Sequence, residues 1–344
     1  MIRIGIICPS EIAYRRFSPA LQKHADDFKF VGIGVASAEE WYGKRKSYDK
    51  EANQARLDRE HSKAQTFLDF FGEGKIFESY GQVVTSDDVD AVYLPLPPAL
   101  HYKWAKLALE HGKHVFVEKP STTDAKDTAD LIQIADNKGL AFHENYMFIY
   151  HDQLKAVDDV VKSGELGDVR LYRISFGFPR RAQNDFRYNK ALGGGALIDA
   201  GGYTLKYASY LLGYTAELKT AQLNYLPEFE VDMYGSATMV NKDGITAQLA
   251  FGMDNDYKCE IEIWGSKGTL TSNRILTAPA GFVPEYTIKK NQDYETRKLP
   301  ADDAFGKSIS RFKDCIADSE TRQEEYRLVQ READLMTQFK EMAK

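Results

Sequence analysis

At 344 residues the chain exceeds one ordinary domain, and about 150 residues per domain implies two. A content of 43% hydrophobic and 28% charged residues excludes disordered and fibrous chains. A net charge of -6 excludes a global basic field for nucleic acid or anionic lipid, which leaves a small molecule as the expected partner.

The opening apolar run, residues 2–7, stops before Pro9 without the hydrophobic region and cleavage site of a signal peptide. No stretch approaches the roughly 18 to 20 apolar residues that span a bilayer, so a cytoplasmic location is expected. Apolar runs at 2–7, 30–35, 91–94, 114–117 and 140–146 alternate with helical patterns, which predicts a five-stranded parallel sheet wound by helices. Two helices have visible stops. Trp104, Leu107, Ala108 and His111 recur at helical spacing before Gly112, and Ala125, Thr128, Ala129, Ile132 and Ala135 do so before Gly139. Segment 39–63 is dense in both charge signs and reads as a solvated helical insertion, or as a source of phosphate contacts through Lys44, Arg45 or Lys46.

After about residue 150 the rhythm changes. One amphipathic helix at 154–163 precedes a strand at 169–178, and the turns at 241–244 and 265–268 suit hairpins because Asp243-Gly244 supplies positive φ. The expected architecture is a Rossmann-type doubly wound α/β domain at 1–148. An α+β domain with an open, mostly antiparallel sheet follows at 149–344, ending in a helical tail from about 302.

A dinucleotide pyrophosphate sits where the first strand turns into a helix, held by backbone N–H groups. Here that turn reads Cys8, Pro9, Ser10, Glu11, Ile12, Ala13 and lacks the usual glycines, with Arg16 in the first helical turn to offset phosphate charge. The second strand leads to Ser37, where an NAD enzyme carries an acid for the ribose. A hydroxyl with Arg16 and the 44–46 cluster nearby favours the 2'-phosphate of NADP, while Glu39 or Glu40 would serve NAD. Leu96, Pro97 and His101 follow one strand and Glu118-Lys119-Pro120 end another, both at the carboxyl edge where open α/β sheets bind ligands. Finally Gly193-Gly194-Gly195 opens a helix carrying Asp199 and Tyr203 on one face. A tyrosine beside a lysine cation suits proton donation to a carbonyl.

Cysteine and histidine add exclusions. Cys8, Cys259 and Cys315 are too far apart for a disulfide framework, and His111 and His114 flank a turn, so no metal site is expected. All seven histidines lie at or before His151, so an acid or base from the second half must be another residue type.

These motifs, in this order, resemble the glucose-fructose oxidoreductase / inositol dehydrogenase / rhizopine catabolism (Gfo/Idh/MocA) family over nearly the whole chain. The resemblance implies an active site at Lys119, Asp199 and Tyr203, with tyrosine where many relatives have histidine. That departure looks like the glucose-fructose oxidoreductase, dihydrodiol dehydrogenase and sugar-nucleotide 3-ketoreductase branches, most of which use NADP. The segments at 8–17, 144–148, 185–188 and 257–268 look most like deoxysugar 3-ketoreductases. Ile149 stands where many relatives have arginine, so no contact is carried over there.

The resemblance also implies cofactor contacts from Glu118, Lys119 and Asn145, substrate contacts from Arg187, Tyr188 and Lys206, and a homo-oligomer through the second sheet. The expected function is NADP-dependent interconversion of a secondary alcohol and a ketone on a sugar or sugar nucleotide, with NAD as the other cofactor. Lys119 polarises the oxygen, Tyr203 protonates it and Asp199 positions the pair. A dihydrodiol or polyol dehydrogenase, or a non-catalytic sensor of the same fold, are the alternatives.

Overall fold

A computed structural model of the chain describes residues 1–43 and 48–343 and divides them into two compact units. The first unit runs β1 (Ile2–Ile6), α1 (Ser18–Gln22), β2 (Phe28–Gly34), α2 (Ala38–Tyr42), α3 (Lys50–Phe71), β3 (Lys75–Phe77), α4 (Tyr80–Thr85), β4 (Ala91–Leu94), α5 (His101–Glu110), β5 (His114–Glu118), α6 (Ala125–Lys138) and β6 (Phe142–Asn145). Its six strands are parallel in the order β3-β2-β1-β4-β5-β6. Central strands such as Ala91–Leu94 are buried throughout, as helices on both faces of a parallel sheet require. Gly112 and Gly139 take left-handed φ of 74° and 65° where the helices stop.

The expectation of five strands missed β3. Its three residues, Lys-Ile-Phe at the sheet edge, are too few to show a period. The charged insertion is helical as expected, forming α2 and the 22-residue α3, but α3 also buries Asn53, Arg56, Ala64 and Phe67. Lys44, Arg45 and Lys46 lie outside the described residues.

The second unit carries α7 (Asp152–Lys162), β7 (Val169–Gly177), α8 (Gly202–Leu212), β8 (Glu217–Tyr225), β9 (Asp232–Val240), β10 (Thr246–Gly252), β11 (Lys258–Gly265), β12 (Thr269–Asn273), β13 (Glu285–Lys290) and β14 (Asp293–Lys298). The eight strands order as β14-β13-β12-β11-β7-β10-β9-β8, antiparallel except for the β7–β10 pair. The β9–β10 turn is closed by Asn241, whose side chain accepts from the Asp243 and Ile245 N–H groups, with Gly244 at φ 79°. Alternation in β11 buries Cys259, Ile261 and Ile263 and leaves Trp264 exposed.

Two helices end the chain, α9 (Ala304–Ala317) and α10 (Ser319–Met342). The sequence reading assigned this tail wholly to the second domain, whereas Ser308–Val329 belongs to the first unit. Phe312 stacks on Phe28 with centroids 6.2 Å apart and meets Phe116 edge-on at 5.3 Å, while Tyr326 and Val329 enter the first core. Helical periodicity shows that a face is apolar but not which core receives it.

Among the described residues no helix is long and apolar enough to cross a membrane.

Candidate active site

In the first unit β1 and β4 are neighbours although β2 and β3 lie between them in sequence, which makes their carboxyl ends a topological switch point. The turn after β1 crosses that edge. Cys8 is buried and its thiol donates to the Pro95 carbonyl at 3.5 Å, so the turns after β1 and β4 are tied together. Burial pushes the thiol up to about 12, making it a packing group. Ser10 replaces the missing glycines as a cap, its hydroxyl accepting from the Ala13 N–H at 3.2 Å. Glu11 and Ile12 are exposed, the Glu11 carboxylate paired with Arg15 at 2.6 Å, and Arg16 is half-buried.

After β2, Ser37 caps α2. Its hydroxyl accepts from the Glu40 N–H at 3.3 Å, and Glu40 accepts in return from the Ser37 N–H at 2.8 Å. Glu40 also accepts from the Tyr80 and Gly81 N–H groups at 3.0 and 2.8 Å. Both its oxygens are thus committed to backbone, so it is not the ribose acid considered as an NAD alternative.

The edge of β4 and β5 differs from expectation at three residues. His101 is fully buried, with Nδ1 2.8 Å from the Pro120 carbonyl and Nε2 2.7 Å from the Leu96 carbonyl. As a neutral imidazole it donates to one of these two carbonyls and packs against the other, so it sits between the loops that carry Pro97 and Lys119 with both ring nitrogens enclosed. The Glu118 carboxylate accepts from the Tyr93 hydroxyl and the Asn145 amide, both at 2.7 Å, and burial raises its pKa. Asn145 in turn accepts from Ser308 at 2.9 Å. The side chains of Glu118 and Asn145 therefore face an internal network, because two adjacent parallel strands place them opposite one another.

Between these anchors Lys119 is half-buried, linked to Pro120 by a cis peptide, and Ser121 N–H donates to Glu144 at 2.7 Å. The backbone on both sides of Lys119 is thereby fixed. His143 continues the network. Its Nε2 lies 2.8 Å from the Ser308 hydroxyl and its Nδ1 2.8 Å from Glu325, whose other oxygen accepts from Arg311 at 3.1 Å. With Cys315 these form a buried group of potential metal ligands, brought together by tertiary structure and invisible to sequence spacing.

The buried histidines have a consequence for stability. Burial lowers the His101 pKa from 6.5 to about 4 against the opposing pull of its two carbonyls, and burial with Arg322 lowers His114 to about 4. Between pH 6.5 and 4 the unfolded chain binds protons that the folded chain refuses, so stability falls as pH drops through that window. For His101 the loss is expected to reach about 3 kcal/mol. Urea unfolding from pH 7 to 4.5 should show a shallower loss in His101→Gln than in the parent, and parallel slopes would refute the assignment.

In the second unit the glycine turn holds a charged loop. Gly194 and Gly195 N–H groups donate to the Asn189 and Arg187 carbonyls at 3.0 and 2.9 Å, and a Cβ at Gly195 would collide with Asp232. Asp232 in turn accepts from the Leu197 N–H at 2.6 Å. This places Arg187 against Asp199 at 2.6 Å and Asp185 at 3.2 Å. Burial would lower the Arg187 pKa, but the two carboxylates raise it overall. One Asp199 oxygen is therefore bound to Arg187, a partner the sequence reading did not give it.

Asp199 lies in a π-helical turn, Leu197–Gly201, that runs into α8. Tyr203 follows, nearly buried, its ring 5.1 Å from Tyr146, 5.5 Å from Phe148 and 5.2 Å from Phe176. The Tyr146 hydroxyl passes so close to Gly202 that a Cβ there would clash, and Lys206 Nζ lies 5.4 Å over the Tyr146 ring. Tyr188 accepts from the Arg181 N–H at 2.7 Å and packs on Phe229. Sequence reasoning missed Tyr146 and Asp185 as members of this group. Both lie in segments that carry the resemblance, 144–148 and 185–188, and Asp185 carried a further local signal, since its side chain caps the Arg187 turn at 3.0 Å.

Comparison with known proteins fits both halves. Residues 27–146 match the oxidoreductase family with NAD-binding Rossmann fold, GFO/IDH/MocA, and residues 154–271 match its C-terminal domain. A dTDP-3,4-didehydro-2,6-dideoxy-alpha-D-glucose 3-reductase from Actinomadura kijaniata is 36% identical over 319 residues, covering 93% of this chain and 89% of that one. The protein of that name from Streptomyces violaceoruber is 39% identical, covering 92% and 85%. A crystal structure of a 3-ketoreductase from Actinomadura kijaniata, in complex with NADP and TDP-benzene, superposes with a TM-score of 0.88 at 35% identity, covering 99% and 97%. Solved variants of that enzyme replace a tyrosine by phenylalanine or a lysine by alanine, two residues separated by the same interval as Lys119 and Tyr203. With family models matching both the Rossmann half and the C-terminal half, and a relative 36% identical over most of both chains, the chain belongs to the GFO/IDH/MocA oxidoreductase family.

Proposed function

We propose that this protein is an NADPH-dependent reductase of a ketone at C3 of a nucleotide-linked deoxysugar. The observation that carries the reading is that Lys119, on a backbone segment beside His101, and Tyr203, set in an aromatic wall, are separated in sequence by the same interval as the lysine and tyrosine replaced in the solved 3-ketoreductase. Residues at the first unit's edge support NADP: Ser37 carries a hydroxyl, and Glu40, one of the two acids that would favour NAD, is committed to backbone amides, which leaves Glu39. The backbone of residues 8–12, with Leu96 and Pro97, holds the dinucleotide.

NADPH when bound supplies hydride to the carbonyl carbon. As the C=O bond becomes C–O, negative charge develops on the oxygen. The Lys119 ammonium stabilises that charge and the Tyr203 hydroxyl transfers its proton there, giving the secondary alcohol. Asp199 holds Arg187 in place, and Arg187, Tyr188 and Lys206 contact the substrate. Retention of Lys119, Asp199 and Tyr203 supports an enzyme over a sensor.

Exposed Tyr225, Tyr234 and Trp264 on the second sheet support self-association through it, and the protein is proposed to act in the cytoplasm. Purified protein should oxidise NADPH, and NADH less efficiently, when given a dTDP-linked 3-keto-deoxysugar, read as loss of reduced-cofactor absorbance. Turnover of a dihydrodiol or free polyol with none on the nucleotide sugar would replace this reading with the dehydrogenase alternative.

A further inference from the structure

The charged insertion contains a buried cation that the described residues leave partly unsatisfied. Arg56, in the second turn of α3, is only 4% exposed. Its Nε and Nη2 donate to the neutral oxygen of Asn53 at 3.3 and 3.0 Å, and its buried Nη1 has no hydrogen-bond partner among the described residues. The carboxylate one turn on, Glu60, is paired with Lys63 at 2.9 Å. The guanidinium instead lies over the ring of Trp41, 4.9 Å from its centroid. A buried cation that meets, among the described residues, an amide oxygen and an aromatic face is a strong anion receptor, since desolvation sharpens its field and the Nη1 donors remain to be used.

Its address identifies the anion. Trp41 belongs to α2, and its N–H donates to the carbonyl of Ser37, the residue that caps this helix directly after β2. That is the adenosine-ribose end of a doubly wound fold. Resting on the NADP reading above, we propose that Arg56, backed by Trp41 and aimed by Asn53, is the residue of this chain that recognises the 2'-phosphate of NADP. The insertion then supplies cofactor specificity from a helix well downstream of the strand end where it is usually sought.

The test uses the adenosine half of the cofactor, so that it reads recognition rather than turnover. By isothermal titration the parent protein should bind 2',5'-ADP more tightly than 5'-AMP. Arg56→Met should shrink that ratio by roughly 10- to 100-fold, the loss expected for a hydrogen-bonded charge pair. The NADPH-to-NADH affinity ratio should fall with it, and the melting point of the cofactor-free variant should stay level or rise because an unpaired buried charge is gone. A structural brace would instead lower the melting point and weaken both nucleotides alike, overturning the proposal. So would inorganic phosphate matching 2',5'-ADP in affinity, which would make Arg56 a free-phosphate site. A parent without preference for 2',5'-ADP would overturn the NADP reading itself. A parent with the preference and a Met variant that keeps it would overturn only the role of Arg56.

Discussion

Tyr203→Phe is expected to lower kcat by about 10²- to 10⁴-fold, the usual contribution of a positioned proton donor. The ring contacts with Tyr146, Phe148 and Phe176 survive this change, so the melting point and the dissociation constant for NADPH should stay near those of the parent. The measurement is steady-state turnover on a 3-keto nucleotide sugar beside a binding titration. Parent-like kcat in the Phe variant would remove Tyr203 from the chemistry, and because no histidine lies beyond His151 the proton would then come from Lys119, from water or from a non-histidine side chain of the second half. A loss confined to KM would make Tyr203 a wall of the pocket and not its acid.

Lys119→Met carries the second large effect. Removing a fixed cation from a developing oxyanion costs about 10²- to 10³-fold in kcat. Lys119→Arg should not restore it, because the planar guanidinium spreads its charge and needs a wider approach than an ammonium on a braced backbone allows. If Lys119 and Tyr203 act on one oxygen, the double variant should lose less than the product of the single losses. Strict multiplicativity would show that the two residues act on separate steps.

Much of this arrangement was legible in the chain. Strands such as Ala91–Leu94 and His114–Glu118 are read from short apolar runs, and Gly112 and Gly139 mark helix ends, because these are properties of a few consecutive residues. The same locality explains the misses. Edge strand β3 is too short to have a period, and the family match itself begins at residue 27, beyond the turn at 8–13 that replaces glycines with a serine cap. His101, Glu118 and Asn145 have the residue types of ligand contacts. Their side chains nevertheless face the Leu96 and Pro120 carbonyls, Tyr93 and Ser308, partners that neither spacing nor composition reveals.

By itself the sequence determined the two sheets, the helix stops and one exclusion for the second half, since seven histidines ending at His151 mean that any acid it supplies is not an imidazole. Only tertiary structure decided which polar groups are spent. Glu40 went to backbone amides, Asp199 to Arg187 and the tail residues Phe312, Tyr326 and Val329 to the first core, while Arg56 was buried with its Nη1 short of a partner among the described residues. The reason is physical. Backbone periodicity and capping act within a turn or two of chain, whereas the energy of a buried charge depends on whatever the fold packs against it, often from hundreds of residues away.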